Sequence, residues 1–334
     1  MSDLYITNRS VSYRDDLCRV LSDSGFRIIR YEEGDYPVRT VAGKVFLKSP
    51  VSLLRKERPS HVIVPEFSGI AIQIAVLRKR FGFKVLSLCD DSLDMIQGND
   101  LGRFHRISRR IVPRFLDGVI TLGPAVADWY SKHFGLKSLW VPLIADEGRV
   151  RGELARLLPL SGRLRPGPKP IVAYVGRLVG LKNIPMLIRA FEPLKERAQL
   201  VIIGDGVDRE MLTAMAPDAL FTGMQFGDDL LAWYNLIDVL VLPSTLEPYG
   251  AVTGEALMAG AKVVVSRLAG SADLVRDGEN GYLVDPMDVQ QLTNRLKQLL
   301  DSIPEGRELF LRENLLPYRF EPCVEELIRG INSI

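Results

Sequence analysis

From residue 171 onward the chain alternates short β-branched runs with longer amphipathic stretches, and this alternation narrows the choice of fold more than any other feature. The order is IVAYV, NIPMLIRAFEPLKE, QLVIIG, VDREMLTAM, ALFTG, DDLLAWYNL, DVLVLP, GAVTGEALMAG, KVVVS and GYLVDP, closed by a helical pattern over 287–300. Runs this uniformly apolar suit strands buried on both faces, as in a parallel sheet covered by helices. The segment therefore predicts a doubly wound α/β domain. The first half follows the same grammar less regularly, with strands expected at LYIT, RIIRY, HVIVP, KVLSL, GVITL and SLWV and helices over 68–80 and 103–115. A chain of 334 residues exceeds the roughly 250 at which single cores stop growing, so two such domains fit the length. The run SGRLRPGPKP interrupts any regular element and places the linker there. The expected division is 1–165, 166–316 and a terminal helix over 317–334 that could dock on either half, including back on the first.

Composition bounds the partners. Charged residues make up 25% and the formal charge is +2, so no global field singles out nucleic acid or membrane. Cys18, Cys89 and Cys323 are odd in number and lack metal-ligand spacing, which argues against a disulfide framework or a zinc site and for a reducing, cytoplasmic setting. No stretch approaches the ~18 apolar residues of a membrane span, and the start MSDLYITNRS has no export pattern. In the stretch Arg103 to Arg114, Arg103, Arg106 and Arg110 share one helical face and Phe104, Ile107 and Ile111 another. Such a helix either packs its apolar stripe on the sheet or lies peripherally on an anionic membrane face. Aromatic interleaving for nucleic acid is absent, as is the glycine fingerprint of a dehydrogenase.

Ligands of open parallel sheets bind at the carboxyl ends of the strands. After IVAYV come Gly176, Arg177, Lys182 and Asn183, whose cations suit a diphosphate, although taken alone they read first as an ordinary solvated loop. After QLVIIG comes Gly204-Asp205-Gly206, a ligand contact or simply a tight turn, since the third glycine of a dinucleotide motif is missing. DVLVLP leads into Ser244-Thr245-Leu246-Glu247-Pro248-Tyr249-Gly250-Ala251-Val252-Thr253-Gly254-Glu255. Glu247 falls in the loop, and Glu255 about two turns into a helix expected to start near Tyr249. The small residues leave amides open at the helix start, where a phosphate is favoured. Carboxylates only accept hydrogen bonds, which suits the hydroxyls of a sugar and a ribose. Glu255 sits among Ala256, Leu257 and Met258, where a charge needs a reason.

The run from Glu247 to Glu255, with GRL and KN upstream and GSADLVRDGENGYLVDP downstream, resembles the retaining GT-B glycosyltransferases of family 4, known by their E-x7-E motif, over 170–300. The resemblance implies two facing Rossmann-like domains with a cleft between them, the first binding acceptor and the second donor. It puts Arg177 and Lys182 on the donor diphosphate, Glu255 on the ribose hydroxyls and Glu247 at the sugar near the reacting carbon. Gly250, Ala251 and Val252 would offer amides beside Tyr249, and Gly176, Gly204, Gly206, Thr222 and Gly223 would complete the donor pocket. It further implies a hexosyltransferase taking a nucleotide sugar, a UDP-sugar foremost, to a glycan or lipid-linked acceptor in cell-surface polysaccharide synthesis. Neither metal nor cofactor beyond the co-substrate is implied, because fixed cations take the leaving charge. Glu247 is expected to act electrostatically and not as the nucleophile of a retaining glycosidase. The first domain departs from the family: Thr7-Asn8-Arg9-Ser10 replaces a glycine-rich loop, and Cys89-Asp90-Asp91 stands where a histidine is common. Asp90 or Asp91 takes the histidine's place, or the loop is merely acidic and solvated. A non-catalytic binding or scaffold protein on the same fold is the alternative.

Overall fold

Fourteen strands are found among the residues described by the computed structural model, 2–8, 12–97 and 103–334. The chain divides into two units, Met1–Ala145 with Phe320–Ile334, and Asp146–Arg319. In the first unit lie β1 (Asp3–Thr7), β2 (Phe26–Arg30), β3 (Val38–Val41), β4 (Lys44–Leu47), β5 (His61–Pro65), β6 (Lys84–Cys89), β7 (Gly118–Thr121) and β8 (Lys137–Trp140). Six of them form one parallel sheet in the order β2-β1-β5-β6-β7-β8. The antiparallel hairpin β3–β4 was not expected from the sequence. Most of its side chains are partly or fully exposed, so no buried alternation marks it. Its signal is the turn, where Ala42 and Gly43 both take positive φ, 49° and 72°, as a tight two-residue hairpin requires.

The second unit holds β9 (Ile171–Val175), β10 (Gln199–Ile203), β11 (Leu220–Gly223), β12 (Val239–Leu242), β13 (Lys262–Ser266) and β14 (Gly281–Val284). All pair in parallel, in the order β11-β10-β9-β12-β13-β14. Val172, Ala173, Leu240, Val241 and Val264 are fully buried, as their unbroken apolar runs require. The strand order reverses between β9 and β12, and there the carboxyl ends open a crevice for ligands. The opposite end of the sheet is closed by Asp238, which accepts from the Ile171 amide at 2.8 Å and pairs with Arg307 at 2.6 Å. Arg312 packs beside them and bonds the Ala259 and Tyr234 carbonyls, and burial, then the nearby Arg307 charge, lowers its pKa to about 10.

The division falls before Asp146 and not at the Gly/Pro run near residue 165. Helices Glu147–Arg156 and Leu158–Leu164 pack on helix Gly227–Leu236, where the Asn235 side chain donates to the Leu154 carbonyl at 2.8 Å. Pro and Gly therefore mark the end of a docked helix and not a hinge. Helix Phe320–Asn332 belongs to the first unit and buries Phe320, Val324, Leu327 and Ile331. Its Gly330 lies so close to β8 that a Cβ there would meet Leu139 Cδ2 at 2.6 Å.

Candidate active site

Lys182, Ser244 and Glu247 meet at the reversal between β9 and β12. Lys182 Nζ donates to Glu247 Oε2 at 2.5 Å, although the two are 65 positions apart, and Ser244 Oγ donates to the same oxygen at 3.2 Å. Both charged side chains are largely buried, at 14% and 9% exposure, so neither tolerates loss of the other cheaply. The loops that carry them are stitched by the Thr245 amide donating to the Leu181 carbonyl at 3.0 Å. Asn183 fixes the turn: it takes a left-handed φ of 52°, and its side chain donates to the carbonyls of Pro243 and Pro286 at 3.2 and 2.8 Å. The sequence marked Asn183 only by its place after the lysine; its clamp, and the Ser244 contact, come from chain segments that spacing alone does not join. Arg177 is exposed and makes no ion pair among the described residues, and its charge and that of Glu247 both act on Tyr174. Tyr174 bonds the Arg177 carbonyl at 2.9 Å, and burial, with the Glu247 charge, pushes its hydroxyl pKa well up, so it stays a donor.

Gly176, Gly204 and Gly206 bring three loops together. A Cβ on Gly204 would lie 1.9 Å from the Gly176 carbonyl oxygen, and one on Gly206 would lie 2.3 Å from that of Leu178. Backbone bonds follow from this approach: Gly176 to Ile203 at 2.9 Å, Leu178 to Asp205 at 2.9 Å and Gly204 to Gly223 at 2.8 Å. Close packing of the loops thus accounts for the two glycines of Gly204-Asp205-Gly206. Thr222 and Gly223 end β11 on the same rim, both partly exposed.

The helix carrying Glu255 spans Val252–Met258, later than expected. Gly250 takes φ 92° and packs on Leu242, which bars a helical start at Tyr249. Glu255 therefore lies in the first helical turn and not two turns in. Tyr249 is buried, while Ala251 and Val252 are partly exposed. Tyr234 donates to Glu255 Oε2 at 2.5 Å, and burial raises the Glu255 pKa above its ordinary value against the pull of that bond. Tyr234 is the reason a carboxylate is tolerated there.

Asp90 lies in the other unit, at the carboxyl end of β6, in an ion pair with Arg14. Burial raises its pKa, with Arg14 working the other way. Neighbouring Asp91 is not solvated: it accepts from Arg109 Nε at 3.0 Å and from the Tyr130 hydroxyl at 3.0 Å. In helix Arg103–Ile111, Arg109 is buried while Ile107 and Ile111 are exposed, so the apolar stripe does not simply pack inward. The side chains of Arg103, Phe104, His105 and Arg106, like residues Arg9 and Ser10, lie outside the described residues. Among the described residues no group of three or more His, Cys, Asp or Glu could hold a metal ion, and no helix is long and apolar enough to cross a membrane.

Two parallel-sheet α/β units, the second with paired loops at its strand reversal, define the GT-B fold. Anabaena HepE in complex with UDP superposes over the whole of both chains with a TM-score of 0.76 at 15% identity, and sucrose-phosphate synthase from Thermosynechococcus elongatus with 0.73 at 18%, covering 100% of this chain and 99% of that one. The glycosyl transferases group 1 family matches residues 169–302, most of the second unit, which is therefore similar to that family. The GDP-mannose-dependent alpha-mannosyltransferase of Corynebacterium glutamicum is 37% identical over 125 residues, 37% of this chain and 30% of that protein. The protein of the same name from Mycobacterium tuberculosis is 32% identical over 183 residues, 54% and 47%. Sulfoquinovosyl transferase SQD2 of Arabidopsis thaliana is 36% identical over 146 residues, 42% and 28%. The matches span less than half the length of each of these relatives.

Proposed function

We propose that the protein transfers a sugar from a nucleotide-sugar donor to a glycan or lipid-linked acceptor, with retention and without an essential metal. The observation that carries this reading is the buried Lys182–Glu247 pair at the reversal between β9 and β12, with Arg177 exposed in the same loop as Lys182. A diphosphate placed there meets Lys182 and Arg177, fixed cations that stabilise the charge developing on the leaving oxygen without reorganising. Glu247 holds Lys182 in place and accepts from sugar hydroxyls with its remaining lone pairs. Because Lys182 and Ser244 already occupy one carboxylate oxygen, we assign Glu247 an electrostatic and orienting role in preference to nucleophilic attack. Glu255, backed by Tyr234, is assigned to the ribose.

Relatives named for GDP-mannose and a structural neighbour solved with UDP leave the base to be decided by binding. Calorimetry of the full chain with UDP and GDP in EDTA tests the reading. One diphosphate is expected to bind, and Lys182→Ala should weaken it at least tenfold, or by about 1.4 kcal/mol. Equal affinity in wild type and variant would remove Lys182 from the donor site.

A further inference from the structure

Two neighbouring segments of the first unit carry apolar side chains where a solvent-facing helix is polar. Helix Gly69–Phe81 buries Ile70, Ala71, Ile74 and Ala75, yet Ile72 and Val76 are exposed, Val76 at 74%. A helix that is apolar all round is ordinarily covered all round. In helix Arg103–Ile111 and the turn Val112–Phe115 that continues it, the inversion goes further: Arg109 is buried, while Ile107, Ile111 and Phe115, four residues apart, are exposed. The turn packs on helix Gly69–Phe81, and Asp117 just beyond it pairs with Arg78 of that helix at 2.9 Å, so the two segments are neighbours.

Charge is segregated on the same segments. Residues 69–81 and 103–115 together hold eight arginines and lysines and no Asp or Glu, in a chain whose formal charge is only +2. Two of the eight are met by carboxylates from outside: Arg78 by Asp117, which also lies 3.8 Å from Lys84, and Arg109 by Asp91, which accepts from its Nε at 3.0 Å. Lys79, Arg80, Arg110 and Arg114 are exposed and pair with no carboxylate among the described residues. Arg80 and Arg114 stand over the Phe81 and Phe134 rings, 5.9 and 5.7 Å from their centroids, and Arg114 also bonds the Arg110 carbonyl. The surface thus sets cations against exposed aliphatic and aromatic side chains, with both carboxylates that reach it already committed.

That combination selects the occupant. A second copy in a two-fold contact would bring this patch against itself, cation against cation, which is costly. The bulk of protein interfaces deplete lysine. An anionic lipid surface supplies both halves of what is missing, hydrocarbon for isoleucine and phenylalanine and phosphate for arginine and lysine, and asks for no matching shape. The face is also held in place: Asp91 takes the buried Arg109 and accepts from the Tyr130 hydroxyl at 3.0 Å, so helix Arg103–Ile111 is pinned from beneath while its isoleucines point away from that bond.

We propose that helix Gly69–Phe81 and the segment 103–115 form one docking surface for an anionic lipid bilayer, with Ile72, Val76, Ile107, Ile111 and Phe115 entering its interface and Lys79, Arg80, Arg110 and Arg114 on its phosphates. The inference stands apart from the donor reading. Co-sedimentation of the full chain with vesicles of equal parts phosphatidylcholine and phosphatidylglycerol tests it, with phosphatidylcholine alone as the comparison. Wild type is expected to bind the anionic vesicles at least tenfold more tightly than the neutral ones, and to lose affinity as salt screens the charges. Ile107→Gln with Ile111→Gln removes apolar reach, and Lys79→Glu with Arg110→Glu reverses two cations. Each pair of substitutions should weaken binding to the anionic vesicles at least tenfold. Both variants should keep a native near-UV circular dichroism spectrum and wild-type affinity for the diphosphate. Wild-type vesicle affinity in both folded variants overturns the proposal, as does equal binding to the two kinds of vesicle or binding to neither. Sedimentation velocity without lipid covers the remaining occupant: a wild-type dimer that the isoleucine substitutions dissociate gives the face to a second copy and overturns the proposal too. If the anionic vesicles bind as described and no diphosphate does, the docking surface holds and the donor reading falls.

Discussion

Burial raises the Glu255 carboxyl above its ordinary value while the Tyr234 hydroxyl bonds it. Between about 4.3, the usual glutamate pKa, and that raised value, the folded protein keeps a proton that the unfolded chain has released. Stability from this group is therefore fully present below the window and lost as pH rises through it. Glu255→Gln keeps an acceptor for Tyr234 and removes the titration. Its melting temperature should exceed that of wild type at pH 8, and the gap should close toward pH 4. A gap of equal size at both pH values would show that the carboxyl does not titrate in the fold. Glu247, Glu255 and Lys182 were legible because the first two sit in one linear run and the third in the loop after the first strand of its unit. Their supporting partners were not. Tyr234 lies in a helix 21 residues before Glu255, and Arg109, Asp91 and Tyr130 join three separate segments into one buried network, which no spacing rule announces.

The loops after β9, β10 and β11 act as one body because glycines let their backbones touch. Gly206 tests this without the complication of a positive φ, since a Cβ there meets the Leu178 carbonyl oxygen at 2.3 Å and only displacement of backbone relieves it. Gly206→Ala is expected to cost about 1–3 kcal/mol, the usual range for overpacking. It should also weaken diphosphate binding, because the displaced loop carries Arg177 and Lys182. A thermal melt and the calorimetric titration read the two effects, and a variant unchanged in both would mean that the loops do not pack as described. Strand identity was most legible in the second sheet, where β9, β10, β12 and β13 are near-continuous apolar runs, and less so in the first, where β2 reads FRIIR and β8 KSLW. Helix starts were less so: the helix expected from Tyr249 begins at Val252, because the backbone twist at Gly250 is dictated by its packing on Leu242 and not by propensity. The β3–β4 hairpin escaped for the opposite reason, its largely exposed strands having no core face to betray them.

At the scale of the molecule, the first unit is discontinuous in sequence. Helix Phe320–Asn332 places Phe320, Val324, Leu327 and Ile331 in that unit with at most 2% exposure. Burying each such side chain is worth about 1.5–3 kcal/mol, so the helix contributes a share comparable with the whole stability of an ordinary domain. Removing residues 320–334 should leave the first unit protease-sensitive while the second still binds the diphosphate; full protease resistance in the truncated chain would contradict the packing. An amphipathic stripe names no partner, so which half the helix joins was not legible from its residues. The same discontinuity bears on how the protein is made. The strands of the first sheet leave the ribosome before any of the second unit, yet the helix that covers them is translated after all of it. At about 5–20 residues per second, the apolar surface awaiting Phe320 and Ile331 stays open to chaperones, or to neighbouring nascent chains, for on the order of ten seconds.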